Sequence, residues 1–246
     1  MSEILLTERR DDAVAILTLN RPERGNALSP ALVEALGAAL AVAASDGTRL
    51  LVLRGNGRHF CTGFDLTDLE AQSDGDLVLR ILRVERLLQA IFHAPFHTMA
   101  LAHGRVTGAG AEMLCACDTR IGAPGVRFAM PGPQFGVALG TRRLAHRIGA
   151  EKAAALLLQG HGLEEGEALA HGLLSAVAEP ETWPSRMAEL GAALGRVAAD
   201  TAARLRAVLK PDTRAADLAT LVESVIEPGL RERIARYRDG LKATAR

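Results

Sequence analysis

The sequence predicts an α/β core followed by a helical annex. Three observations lead to this fold class. Up to Gly140, short apolar runs alternate with segments of helical periodicity, the pattern of parallel βαβ crossovers rather than of a sandwich. After Gly140 strand signals nearly vanish and helical segments follow one another. The 246 residues are 48% hydrophobic and 24% charged, enough chain and apolar matter for one large core without disulfide staples.

Leu5–Arg9 and Ala13–Asn20 read as two strands joined through Arg10-Asp11-Asp12. A polar loop, Arg21–Asn26, precedes Ser29-Pro30, a good cap and first-turn pair that opens a helix burying Leu32, Leu36, Ala39, Leu40 and Ala43. The unbroken apolar run Leu50–Leu53 before Gly55-Asn56-Gly57 predicts a strand covered on both faces. Asp76–Phe92 is a helix and His97–Ala102 a strand; a second helix starts near Gly108, carries Glu112 and ends at Cys117. Helices are then expected over Glu151–Gln159, Glu164–Ala170, Pro184–Leu209, Asp217–Ile226 and Leu230–Tyr237. With no linker or fixed-period repeat, residues 1–182 form the core and 183–246 a helical region of the same fold.

Composition excludes several function classes. Lys+Arg and Asp+Glu both total 29 and aromatics are 3%, so neither a basic footprint nor a base-stacking platform for nucleic acid is present. Cys61, Cys115 and Cys117 are too few for a disulfide framework, which points to a reducing compartment. No apolar run approaches the roughly 20 residues of a membrane span, and the N-terminus lacks a signal-peptide core. A cytoplasmic protein without nucleic-acid or membrane partners is expected. Lysine occurs only at 152, 210 and 242, which reads as coding bias.

Two glycine-bearing strand-to-helix turns carry the chemical signal: Phe60–Leu66, and Ala102–Glu112 with Gly104, Gly108 and Gly110. A turn entering a helix leaves backbone N–H groups unpaired at the electropositive end of the helix dipole. Two such donors aimed at one point stabilise an oxyanion. Glu112, three residues beyond Ala109, can return its side chain towards the loop; the alternative is a solvated helix glutamate. Cys61 has no recognisable base, so it reads as a buried apolar residue. Cys115 and Cys117 do not share a helical face, and His93 and His97 straddle Pro95, so no metal site is expected. The Gly108 turn has Met113 in place of a third fingerprint glycine, which excludes a dinucleotide site.

Five segments occur together in order: Arg21–Ser29, Phe60–Leu66, Gly104–Glu112, Phe128–Pro131 and Glu164–Ser175. In this arrangement the chain resembles the crotonase, or enoyl-CoA hydratase/isomerase, superfamily. The resemblance implies a spiral of repeated ββα units with a C-terminal helical trimerisation region. It implies acyl-CoA thioester substrates, coenzyme A entering only as part of the substrate with no other cofactor, and a homotrimer or dimer of trimers. The oxyanion N–H groups fall on Phe64 and Ala109, and the catalytic carboxyl on Glu112. Arg24, Asn26, Ala27, Leu28, Gly63, Asp65, Leu66 and Gly108 would line the CoA moiety, largely through backbone atoms.

One departure stands out. The second carboxylate of the family's hydratases would follow Pro131, where this chain has Gly132, and Phe135–Leu144 is shorter than the usual glycine-rich stretch. The implied reaction is hydration or isomerisation with one glutamate. The alternatives are decarboxylation, thioester hydrolysis, or CoA binding without turnover. Pro131, Gly132, Gln134 and Arg142 are candidate pocket residues. Asp65, Asp68 and Glu70 read as structural or solvent-exposed, His103 as a core histidine, and Asp118 as a fixer of the next strand's backbone.

Overall fold

The computed structural model describes residues 3–10 and 13–244, so the Asp11-Asp12 part of the first turn lies outside the described residues. Strands β1 (Leu5–Arg10) and β2 (Val14–Leu19) precede helix α1 (Pro30–Ala43), strand β3 (Leu50–Gly55) and helix α2 (Asp74–Phe92). Strands β4 (His97–Ala102) and β5 (Arg105–Thr107), helix α3 (Ala109–Ala116), and strands β6 (Thr119–Gly122) and β7 (Arg127–Ala129) follow. Next come α4 (Thr141–Ile148), α5 (Ala150–Gln159), β8 (Leu163–Glu164), α6 (Glu165–Ala170) and β9 (Ala176–Val177). Helices α7 (Trp183–Gly195), α8 (Ala199–Leu209), α9 (Arg214–Val225) and α10 (Leu230–Thr244) complete the order.

The main sheet runs β1-β2-β3-β4-β6-β9, with β1 antiparallel to β2 and each later pairing parallel. A smaller sheet, β5-β7-β8, is also present, and a parallel bridge between Cys61 and Val106 ties its strand β5 to the turn that follows β3. Strand alternation divides the apolar residues between two cores. Leu17, Leu51, Leu53 and Ala100 face Leu36, Leu88 and Leu114, whereas Ile16, Leu50, Val52 and Leu101 face Trp183 and Met187 of α7. This two-sided burial is why Leu50–Leu53 is apolar without interruption. Ser29 caps α1 by accepting the Leu32 N–H at 3.3 Å, as its place before Pro30 predicts.

The expected helix Pro184–Leu209 is two helices. Arg49, just before β3, donates to the carbonyls of Leu194 and Val197 and captures the groups that a continuous helix would use internally. Strands β5 to β9 contain four residues or fewer, too short to show alternation in sequence. Helix α4 escaped prediction within the stretch read as a shortened rim.

An ionic clamp fastens α8 to this core. Asp118, at the mouth of β6, accepts from the Thr98 N–H at 2.9 Å and so fixes the earlier strand β4 rather than the next one, and it also pairs with Arg206 and with Lys210 at 2.6 Å. Burial opposes its ionisation, but Lys210 and Arg206 hold the carboxyl down at about 2. Asp118→Ala would leave two cations partly buried without their counter-charge, a loss of about 3 kcal/mol. Urea unfolding is expected to give a lower midpoint with an unchanged slope.

Candidate functional site

The two turns singled out by their glycines meet in the structure. A β-carbon at Gly63 would lie 2.6 Å from the Thr107 carbonyl, and one at Gly110 would overlap the Cys61 carbonyl. Only backbone fits at either contact, and Gly63 has a φ of +94° that other residues rarely adopt. The approach sets Phe64, which follows Gly63, beside Ala109, the first residue of α3. Among the described residues neither the Phe64 nor the Ala109 N–H donates to a backbone acceptor. Both residues line one cavity of about 550 Å³.

Glu112 lines the same cavity with only 3% of its surface exposed, which rules out a solvated helix glutamate. Its Oε2 has no hydrogen-bond partner among the described residues. Burial pushes its pKa up to about 8; Arg143 pulls it down, and Glu85 and Asp217 add to the rise. Gly140, at φ +69°, presses its α-carbon against this carboxyl, and a β-carbon there would overlap it. Gly132 also faces the cavity, where a β-carbon would meet the Val137 carbonyl at 2.9 Å. The missing side chain at 132 is thus matched to a tight turn, and among the described residues Glu112 is the only carboxyl side chain lining the cavity.

Of the residues expected along a CoA moiety, Arg24, Gly63, Leu66 and Gly108 line the cavity, as do Pro131 and Gly132. Asn26, Ala27, Leu28 and Asp65 do not, because each is buried in the loop that supports it. Asn26 donates to the Asn56 and His59 carbonyls at 2.9 and 2.8 Å. Leu28 bridges Phe64 through backbone. Asp65 pairs with Arg21 at 2.8 Å; burial opposes its ionisation, but Thr67 and Arg21 bring its pKa below the usual carboxylate range. Gln134 and Arg142 lie off the cavity, Arg142 pairing with Asp217 at 3.2 Å. Asp68 and Glu70 are exposed at their side-chain positions, and His103 meets the Gly57 carbonyl at 2.8 Å.

Several lining residues carried no sequence signal. Arg105 joins Arg24 as a cation on the wall, His59 beside them is held towards its neutral form by burial and by Arg105 and Arg58, and Ile81 and Val84 of α2, Val137, Leu139 and Ile234 make the wall apolar. Tyr237, the single tyrosine, lines the cavity from α10 and packs its ring 5.1 Å from Phe135. No local motif foretells that α10 folds back here. Asp74, from the first turn of α2, accepts the N–H groups of Gly229, Leu230 and Arg231 and pins the start of α10.

A family model for enoyl-CoA hydratase/isomerase matches residues 9–226. The chain belongs to the enoyl-CoA hydratase/isomerase family. It is 33% identical over 186 residues to a probable enoyl-CoA hydratase of Mycobacterium tuberculosis, covering 73% of this chain and 74% of that one. It is 35% identical over 183 residues to the 2,3-dehydroadipyl-CoA hydratase of Escherichia coli, covering 72% and 69%. A crystal structure of a candidate enoyl-CoA hydratase/isomerase from Bordetella parapertussis superposes with a TM-score of 0.94 at 42% identity, covering 96% of this chain and 98% of the other. The α/β fold is therefore the crotonase fold, and the chain is an enzyme of this family. Among the described residues no helix is long and apolar enough to cross a membrane.

Glu112 makes stability depend on pH in a definite direction. Its folded pKa of about 8 lies above the ordinary 4.5, so between these values the native state holds a proton that the unfolded chain has lost. Stability contributed by the neutral acid is full below about 4.5 and is lost as pH rises through about 8. Glu112→Gln removes this dependence. Its melting temperature relative to the parent is expected to climb from pH 5 to about pH 8. Paired calorimetric scans across that range check it, and a constant difference would show that Glu112 titrates normally.

Proposed function

We propose that the protein transforms acyl-CoA thioesters through an enolate, by hydration or isomerisation, with Glu112 as its single proton-transferring carboxyl. The supporting observation is that Glu112 and the Phe64 and Ala109 N–H groups line one cavity. In this reading the thioester oxygen accepts from both N–H groups, which lowers the energy of negative charge developing on it, each donor being worth about 3 kcal/mol. One carboxyl suffices for either reaction. In isomerisation its ionised form takes a proton from one carbon and returns it to another. In hydration its neutral form gives a proton to Cα while water adds at Cβ and passes a proton back to the other carboxyl oxygen. A pKa near neutrality suits a group that must do both. Arg24 and Arg105 supply positive charge along the wall for the CoA phosphates, and the apolar wall takes the acyl chain.

A second reading has its own support. With Gly132 where the family's second carboxylate would stand, no partner carboxyl activates a water, which favours decarboxylation, a reaction that needs no activated water, over hydration. A CoA-binding role without turnover is the outcome if no thioester reacts. Glu112→Gln is expected to retain CoA-thioester binding while lowering turnover about 10²- to 10⁴-fold. Spectrophotometry with crotonyl-CoA, then a malonyl-type thioester, checks this, and full turnover by the folded variant would remove Glu112 from the scheme.

We also infer assembly into trimers or hexamers. Leu205, Val208 and Leu209 of α8 are exposed, Val208 to 85%, an apolar face without a partner in the single chain. Sedimentation at micromolar concentration is expected to show a trimer or a multiple of it; a monomer would contradict this.

A further inference from the structure

Behind Glu112, three ionisable side chains from three helices are nearly sealed from solvent. Glu85 of α2 is 1% exposed, Arg143 of α4 2% and Asp217 of α9 7%. Arg143 grips Glu85 with two parallel bonds of 2.8 and 2.5 Å and reaches Asp217 at 3.5 Å. The carboxylates have further donors. Gln89 gives to Glu85 at 2.8 Å, Thr213 to Asp217 at 2.7 Å, and Arg142 pairs with Asp217 from the rim. A buried cluster of this kind adds little net stability over an apolar substitute, which leaves its presence here to be explained.

Its position supplies the explanation. Arg143 lies three residues after Gly140, whose α-carbon presses on the Glu112 carboxyl, so the residue that anchors α4 also seats that contact. Facing Glu112 are Arg143 of α4, Glu85 of α2, Asp217 of α9 and, on its own helix, Cys115, whose thiol burial keeps protonated. Arg143 is near enough to attract a Glu112 carboxylate, yet no ion pair joins them within 4.0 Å. Instead Glu112 Oε2 and Arg143 Nε are both buried without partners among the described residues.

We propose that the Glu85–Arg143–Asp217 cluster is a positioning device for Glu112: Arg143 fastens the Gly140 turn against the Glu112 carboxyl, while Glu85 and Asp217 hold its guanidinium out of pairing and so keep Glu112 a neutral acid. Arg143 is a positioning residue, acting through Glu112 rather than on substrate. The inference rests on Glu112 as the proton-transferring group, but its content is the protonation of Glu112, which is measured without substrate.

The experiment follows the Glu112 side-chain carboxyl by NMR in protein labelled with ¹³C at the glutamate carboxyl, across a pH titration. Its resonance is assigned by its disappearance in Glu112→Gln. Glu85→Gln and Asp217→Asn preserve an oxygen acceptor but remove a repelling charge, so the midpoint of Glu112 is expected to fall, by about one pH unit for Glu85→Gln. Arg143→Gln removes attraction, and the midpoint is expected to rise. A merely structural cluster would alter melting temperature without moving the midpoint in opposite directions. An unchanged midpoint in folded Glu85→Gln and Asp217→Asn would overturn the proposal, as would a shift of all variants in one direction; if Arg143→Gln fails to fold, the other two decide. Absence of acyl-CoA turnover in a protein that shows these shifts would count against the proposed function alone.

Discussion

Backbone packed on backbone is the constraint from which the site follows. Where Gly63 meets the Thr107 carbonyl and Gly110 meets the Cys61 carbonyl, no side chain fits between the two turns. Two chain segments more than 40 residues apart are thereby held at a distance no pair of side chains could define so narrowly, because a rotamer can change and a peptide plane cannot without moving its strand. The rest is support. The parallel sheet delivers both turns at the same end, α3 carries Glu112 one turn from the junction, and α4 closes over it with Gly140. Rigid placement of donors before the substrate arrives is what makes an electrostatic site effective.

How charge is distributed in the interior is the second organising fact. Asp118, Arg206 and Lys210 join the annex to the sheet, and Glu85, Arg143 and Asp217 join α2, α4 and α9 behind the cavity. In both clusters each ion has a counter-ion in contact. Glu112 does not, and in a medium of low dielectric an unpaired carboxyl escapes the cost of burial by keeping its proton. The same physics that binds the helices together therefore leaves one buried acid group holding its proton at neutral pH.

Much of this was legible in the residues. The Ser29-Pro30 cap, the two-sided run Leu50–Leu53 and the helix bearing Glu112 all follow from local rules and stand in the structure as read. The glycines of the two turns also pointed to a site, because glycine in a strand-to-helix junction signals close approach. What local rules could not supply were contacts that depend on distant partners. The break between α7 and α8 comes from Arg49, some 145 residues earlier. The burial of Asn26 and Asp65, which removes them from the cavity wall, follows from Asn56, His59 and Arg21. Arg143 looks like any basic residue in a polar helix until Glu85 is seen opposite, and Tyr237 reaches the cavity only because Asp74 pins α10.

That last contact has a thermodynamic consequence. The cavity takes walls from Arg24 at one end of the sequence to Tyr237 near the other, with contributions from the loops, the small sheet, α2, α3 and α10. A molecule filling it would touch segments from both ends of the sequence at once, so its binding energy would be shared among several elements rather than with one loop. At a hundredfold excess over its dissociation constant, such a ligand adds about 2.7 kcal/mol to a fold of this kind. Amides slowed in hydrogen exchange would then be scattered along the whole chain. The occupied and empty forms would differ less in shape than in how often either comes apart, and a cell depleted of the ligand would hold a shorter-lived protein.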